Sequence, residues 1–168
     1  MMIDWVQVSI PYRHKTPING GRVVSIEPGG EIGWQVEKRL QVRGSHDSSI
    51  QIRSEHIDHS CSHIRLDGNP IKFLQGHNVW GHCDLAGLIF SSLRDILPKV
   101  LPSDEVVSFD YLWAAILHGE LTRLDLTNMY DLGNSQRVLA WLRAASESAN
   151  LKYRGKGQFS GDTLYWGK

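Results

Sequence analysis

Between positions 118 and 125 the chain reads His-Gly-Glu-Leu-Thr-Arg-Leu-Asp. On an extended strand, residues two apart share a face. Leu121, Arg123 and Asp125 then line one side, and His118, Glu120 and Thr122 the other. Arg123 beside Asp125 has two readings. One is a plain ion pair, on the surface or buried. The other is a carboxylate that ligates a divalent cation, next to an arginine that contacts phosphate or holds the carboxylate in place. Hard cations take oxygen donors, and a guanidinium fork matches carboxylate and phosphate alike. The residue types alone do not separate the two.

Three other segments carry polar residues that could do chemistry. Leu74-Gln75-Gly76-His77-Asn78-Val79-Trp80-Gly81 sets two glycines, a histidine and an asparagine between regular elements. Its plain reading is a tight connection, in which glycine supplies positive φ and asparagine caps. Its chemical reading makes His77 a metal ligand or a phosphate contact. His56, Asp58, His59, Cys61 and His63 are zinc-ligand types, but they lack the paired Cys-x-x-Cys spacing of a structural zinc site. They fall where a polar hairpin loop is predicted, so the expectation is an exposed, metal-free loop. Near the end, Lys152, Arg154 and Lys156 interleave with Tyr153 and Phe159. That mixture suits single-stranded DNA, with cations on phosphates and rings on bases, and it suits a solvated turn equally. No P-loop, dinucleotide-binding glycine pattern or Gly-x-Ser-x-Gly elbow is present.

The elements that must position these residues are mostly strands at first. Trp5, Gln7 and Ser9 alternate with Val6, Val8 and Ile10 as far as Pro11, the period of a half-buried strand. Residues 22–27 and 32–38 flank Glu-Pro-Gly-Gly-Glu, which predicts a hairpin. Leu40, Val42, Ile50 and Ile52 continue the alternation. Residues 63–66 and 71–74 flank Asp67-Gly68-Asn69-Pro70 as a second hairpin. The period then changes. Leu85, Leu88, Ile89, Leu93, Ile96 and Leu97 fall at spacings of three and four, which predicts a helix over 84–97, capped by Asp84 and closed by Pro98 and Pro102. Residues 118–130 read as a strand and 135–149 as a second helix, capped by Asn134 or Ser135, with Val138, Leu142 and Ala145 inward. The tail ends in a strand at 163–166. The prediction is a single α+β domain over 1–168, a mostly antiparallel sheet with two main helices packed on it.

Composition narrows the setting. Basic and acidic residues number 18 each, a net charge of zero. Nucleic-acid binders usually carry a basic excess, so any DNA site must be a local patch. No apolar run reaches the roughly 20 residues that span a bilayer, and the opening Met-Met-Ile-Asp-Trp has neither the basic nor the apolar region of a signal peptide. Two cysteines make no disulfide framework. The expectation is a reducing cytoplasm and no membrane partner.

Three of these segments carry a resemblance. LQGHNVWG at 74–81 resembles the matching segment of the gene II replication initiators of filamentous phages. The opening MIDW followed by a strand is similar to theirs, and TRLDLT at 122–127 resembles their Arg-hydrophobic-Asp strand. Order and spacing agree across most of the chain. The resemblance implies a nickase-like α+β fold and the amino-terminal portion of a longer rolling-circle initiator. Such an enzyme cuts one strand of phage or plasmid origin DNA with a tyrosine, forms a 5′-phosphotyrosine and leaves a 3′-hydroxyl for the host replication machinery. It implies a divalent cation, Mg or Mn, with Asp125 and His77 as ligands and Glu120 as a weaker third. Arg123 would orient Asp125 or join Lys152, Arg154 and Lys156 on partly single-stranded DNA. The host bacterial cytoplasm is the implied location. Thr163-Leu164-Tyr165-Trp166-Gly167-Lys168 is similar to the start of the strand that precedes the nucleophile. The nucleophilic tyrosine is therefore expected beyond Lys168, and this chain alone is expected not to nick.

The chain departs from the wider nickase pattern in two respects. It has no pair of histidines around one hydrophobic residue, and the cluster at 56–63 has no counterpart in the phage relatives. Two further functions are compatible with the sequence. One is a non-catalytic DNA-binding regulator. The other is a protein-interaction or inhibitor module that reuses the fold, which the neutral charge favours, whereas Arg123, Asp125 and His77 favour the DNA readings.

Overall fold

A computed structural model describes residues 1–45, 47–57, 60–151, 155–160 and 163–166. The chain folds as two compact units, Met1–Asn128 and Met129–Lys168.

The first unit is built from β1 (Met2–His14), β2 (Arg22–Ile26), β3 (Ile32–Glu37), β4 (Leu40–Arg43), β5 (Ser49–Ile57), β6 (Ser60–Gly68), α1 (Pro70–Gln75), α2 (Leu85–Val100), α3 (Phe109–Leu117) and β7 (Glu120–Thr127). Five strands form one sheet in the order β4-β5-β6-β1-β7, and each neighbouring pair is antiparallel. The alternation read in β1 sets its two faces. Val6, Val8 and Ile10 are buried with Ile64 and Leu66 of β6 and Ile50 and Ile52 of β5. Leu88, Ile89, Leu93, Ile96 and Leu97 of α2 and Leu112, Ala115 and Ile116 of α3 complete this core. Each such side chain contributes about 1.5–3 kcal/mol when fully buried, so this face holds the unit together.

The structure corrects three local predictions. Residues 71–74 are not a strand but part of α1. Pro70 occupies its first turn, and the Asn69 side chain accepts from the Lys72 N–H at 2.8 Å. The Asn-Pro pair read as a hairpin turn is a helix start, because Pro at the first turn loses no hydrogen bond. Helix α2 begins after Asp84, whose carboxylate accepts from the Gly87 N–H at 2.9 Å, but it runs past Pro98 to Val100. Proline forfeits only its own N–H there, and the Leu101 N–H closes the end on the Leu97 carbonyl. Helix α3 has no counterpart among the predicted elements. Phe-Asp-Tyr-Leu-Trp-Ala-Ala-Ile-Leu is apolar almost all round, so it shows no stripe to read.

The hairpin β2–β3 forms as predicted but not in the main sheet. It is a separate two-stranded sheet, an arm whose base is tied by Gly20 N–H to Lys38 O and Lys38 N–H to Gly21 O, both 2.8 Å. The backbones meet so closely there that a Cβ on Gly20 would lie 2.4 Å from the Arg39 carbonyl oxygen.

The second unit holds α4 (Ser135–Ser148), with Asn134 accepting from the Arg137 N–H at 3.0 Å. Two short hairpins follow, β8 (Asn150–Leu151) with β9 (Gly155–Lys156), and β10 (Gln158–Ser160) with β11 (Thr163–Tyr165). Among the described residues no helix is long and apolar enough to cross a membrane.

Candidate active site

Helices α1 to α3 lie on one face of the sheet; the other is polar. Across it Gln7 stands opposite both Asp67 and Arg123, Trp5 opposite Asp125, and Ser9 opposite Arg65 and Glu120. Two hydrogen-bond networks organise this open face. Buried Asp67 accepts from Trp5 Nε1 at 2.8 Å, from Gln7 Nε2 at 2.9 Å and from Arg39, which also reaches Gln51. Glu55 accepts from Ser9 Oγ at 2.5 Å, Arg65 Nη1 at 3.1 Å and Arg53 Nη2 at 3.3 Å. Burial pushes the Glu55 carboxyl up, but the Ser9 hydroxyl and the two arginines outweigh it and hold it below its usual value.

Strand β7 does not follow simple alternation. The register with β1 shifts between Gln7–Arg123 and Val8–Leu121, leaving Thr122 without a cross-strand partner. This bulge turns Leu121 to the Val8 side and brings Thr122 and Glu120 onto the open face with Arg123. Thr122 Oγ1 accepts from Arg65 Nη2 at 3.2 Å and lies 3.1 Å from Gln7 Oε1, to which it donates. The expectation that Glu120 and Arg123 face opposite ways is overturned by this one extra residue.

Arg123 and Asp125 are an ion pair. Arg123 Nε donates to Oδ1 at 3.0 Å and Nη2 to Oδ2 at 2.5 Å, and the guanidinium lies 5.6 Å from the centre of the Trp5 ring. The two-pronged bond holds the Asp125 carboxyl below its ordinary value and raises the arginine further.

His77 is exposed, in a segment whose other polar residues are structural. Gly76 ends α1 at φ 84°, a conformation that favours glycine. Gln75 Nε2 donates to the carbonyls of His77 and Trp80, at 3.2 and 2.6 Å. Asn78 and Asn69 both donate to Asp4 Oδ1 at 2.8 Å. Asp4, from the MIDW opening, thus latches LQGHNVWG onto β1, and two segments far apart in sequence form one structural unit.

Glu120 lines a cavity of about 520 Å³ with Ser9, Glu55, His56, His63 and His118. His63 also borders a second cavity of about 810 Å³, further along β1. Neither Asp125 nor His77 lines the first. Sequence reasoning overlooked Glu55, and it named His63 and His118 in separate segments without bringing them together. Glu55 stands opposite His63 at the end of the register that begins at Gln51–Asp67, just before it shifts at His56–Cys61, which no spacing rule reveals. Of the cluster at 56–63, His56 is exposed as predicted, but His63 is half-buried and the described residues lie in strands β5 and β6 rather than a loop. Cys61 is buried, its Sγ 3.6 Å from His56 Nδ1. Asp58 and His59 lie outside the described residues, as do Lys152 and Arg154 of the basic tail; Lys156 is described only as backbone of β9. Among the described residues no three His, Cys, Asp or Glu side chains converge closely enough to share a metal ion. The donors surround the cavity rather than meet at one point.

Comparison with known proteins gives the chain a family. Residues 2–168 match the family model for the N-terminal part of the phage replication-associated protein encoded by gene II. The replication-associated protein of this type from Enterobacteria phage I2-2 is 37% identical over 175 residues, covering 99% of this chain and 48% of that protein. The chain therefore spans about half the length of the curated relative it matches. No solved structure matches it. With the family model spanning nearly the whole chain, the protein belongs to the gene II family of phage replication-associated proteins, as its amino-terminal region.

Proposed function

We propose that this chain is the amino-terminal part of a rolling-circle replication initiator that nicks and rejoins one strand of phage origin DNA. The observation that carries the reading is the open sheet face, where two carboxylates and three imidazoles line one cavity in a family of phage replication proteins. In the proposed reaction a tyrosine oxygen attacks the scissile phosphorus. A 5′-phosphotyrosine bond forms, the P–O3′ bond breaks, and the 3′ oxygen takes up a proton as the phenol loses one. Tyr12 is unsuited to this. It is buried, its hydroxyl donates to Glu105 O at 2.9 Å and accepts from the Val107 N–H at 3.1 Å, and burial raises its pKa.

Glu120, Glu55, His63 and His118 are donor types that a divalent cation takes. Among the described residues, however, no three of them converge on one point, and Glu55 is already bonded to Ser9, Arg53 and Arg65, so they do not make a cation site as they stand. Of the three ligands that the resemblance implies, Glu120 lines the cavity, while Asp125 and His77 remain ligands by resemblance. Arg123, exposed and forked, is suited to a DNA phosphate, for which it would exchange Asp125.

The partner is tested by binding to a supercoiled origin plasmid against the same plasmid without the origin. Origin-dependent, salt-sensitive binding is expected; equal binding to both, or none, overturns the reading. The chemistry is tested on protein of the phage relative's length, with magnesium or manganese, on denaturing gels for nicks and for DNA-linked protein. Nicks without covalent linkage would remove the tyrosine from the mechanism.

A further inference from the structure

The open face does more than surround one cavity. Trp5, Gln7 and Ser9 of β1 stand opposite Asp125, Arg123 and Glu120, and Pro11 stands opposite His63. Farther along, Arg13 and Lys15 are exposed and line the larger cavity with His63, and Tyr111 of α3 lines the same cavity from the helix-bearing side, with Tyr12, His14 and Val107. His63 lines both cavities. The result is a stripe along β1 from Trp5 to Lys15, about 33 Å at roughly 3.3 Å per residue.

Both ends of the stripe have the same make-up. At one end the Trp5 ring, 36% exposed, is fixed at its edge by Asp67 and accompanied by Arg123. At the other, Tyr111, 50% exposed, shares its cavity with Arg13 and Lys15. Two acids, Asp104 and Glu105, also line that cavity, but Glu105 is taken up by the backbone N–H groups of Lys15 and Thr16. Rings beside cations, spaced along a groove, are what a single strand needs: bases stack and phosphates pair. A duplex keeps its base faces covered and could not use the rings.

Resting on the reading of the open face as a DNA-processing surface, we propose that a single DNA strand lies along β1. Its bases stack on Trp5 at one end and on Tyr111 at the other, and the phosphate between them is carried over the cavity of Glu120, His63 and His118. Trp5 and Tyr111 are positioning residues that set where along the strand the chemistry falls.

The test is fluorescence anisotropy of a labelled oligodeoxythymidylate, with the 168-residue chain and its variants checked by circular dichroism and melting. Trp5→Ala and Tyr111→Ala should each weaken binding about tenfold, in line with a stacking contribution of roughly 1–3 kcal/mol per base. Trp5→Phe and Tyr111→Phe, which keep a ring, should bind within a few-fold of the original chain. Photo-crosslinking of an iodouracil oligonucleotide to the unmodified protein, mapped by mass spectrometry, needs no variant and should mark both residues. Alanine variants that bind as the original does, crosslinks at neither ring, or preference for duplex over single strand would overturn the path while leaving the origin reading standing. Absence of any DNA binding by the original chain would overturn both.

Discussion

Arg123 and Asp125 pair through both prongs of the guanidinium, the ion pair being one of the two readings that the sequence allowed. Both groups are exposed and stand beside Trp5 on the polar face. A phosphate offers the same two-pronged acceptor geometry as Asp125, and both partners are open to solvent, so the guanidinium can exchange one for the other. If Arg123 contacts DNA phosphate, Arg123→Ala should lower the slope of log affinity against log salt by about one, measured by anisotropy across a salt series. Asp125→Asn should strengthen binding at low salt, because it frees the guanidinium. An unchanged slope in the alanine variant would remove Arg123 from the interface.

Glu105 is a residue with a structural task and a pH signature. Its carboxylate accepts the Thr16 N–H at 3.0 Å, the Thr16 hydroxyl at 2.7 Å and the Lys15 N–H at 2.6 Å, and these bonds hold its pKa below the ordinary value. A carboxyl whose pKa falls on folding stabilises the fold above its unfolded pKa, and that stabilisation disappears as pH drops through the folded value. The melting difference between the original chain and Glu105→Gln should therefore be full near neutrality and close below the usual carboxylate range of about 4. A difference that stays constant down to about pH 3, well under that range, would show that the bonds do not depend on charge.

At the scale of elements, the Asp4 latch joins β1 to the start of α1 and to the loop after it. Asp4→Ala leaves two amide donors without their acceptor, and a lost partner of this kind costs about 1–3 kcal/mol. Asn78→Ala removes one donor only and should cost less; urea unfolding of the two variants checks the order. Helix α2 anchors the opposite face through Leu93, which is fully buried. Leu93→Ala should cost about 2–5 kcal/mol by cavity formation. A loss below about 1 kcal/mol, under the range for such a truncation, would mean that the helix–sheet contact is not the core of this unit.

For the whole molecule, zero net charge and the proposed DNA-facing surface are compatible because charge is sorted locally. Arg39, Arg53 and Arg65 neutralise Asp67 and Glu55 on the open face, so its phosphate contacts must come from a few exposed cations. Binding should accordingly be weaker and less salt-sensitive than for a basic domain. The β2–β3 arm stands outside this arrangement: Val23, Trp34 and Val36 are exposed, and none of its residues is buried. Replacing residues 22–37 by a short turn should alter the stability of the first unit by no more than about 0.5 kcal/mol, the range of surface changes. A larger loss on chemical unfolding would show that the arm braces the sheet.

The α+β class, the faces of β1, the caps Asp84 and Asn134 and the family were all legible in the amino-acid order, because they rest on local periodicity, capping chemistry and short motifs. Helix α3 was not legible, since an element apolar on all sides shows no period. Nor was α1, since six residues are too few to show one. Of the residues that line the candidate cavity, Glu120 was named from the sequence as a site residue, but the assembly was not legible. That Glu120 faces the same way as Arg123, that Glu55 meets His63, and that Asp4 secures LQGHNVWG emerge only from the folded chain. The physical reason is strand register. Side chains alternate with a period of two, so a single bulged residue reverses which face every later one occupies, and where a bulge falls is settled by the packing of neighbouring strands rather than by any local pattern.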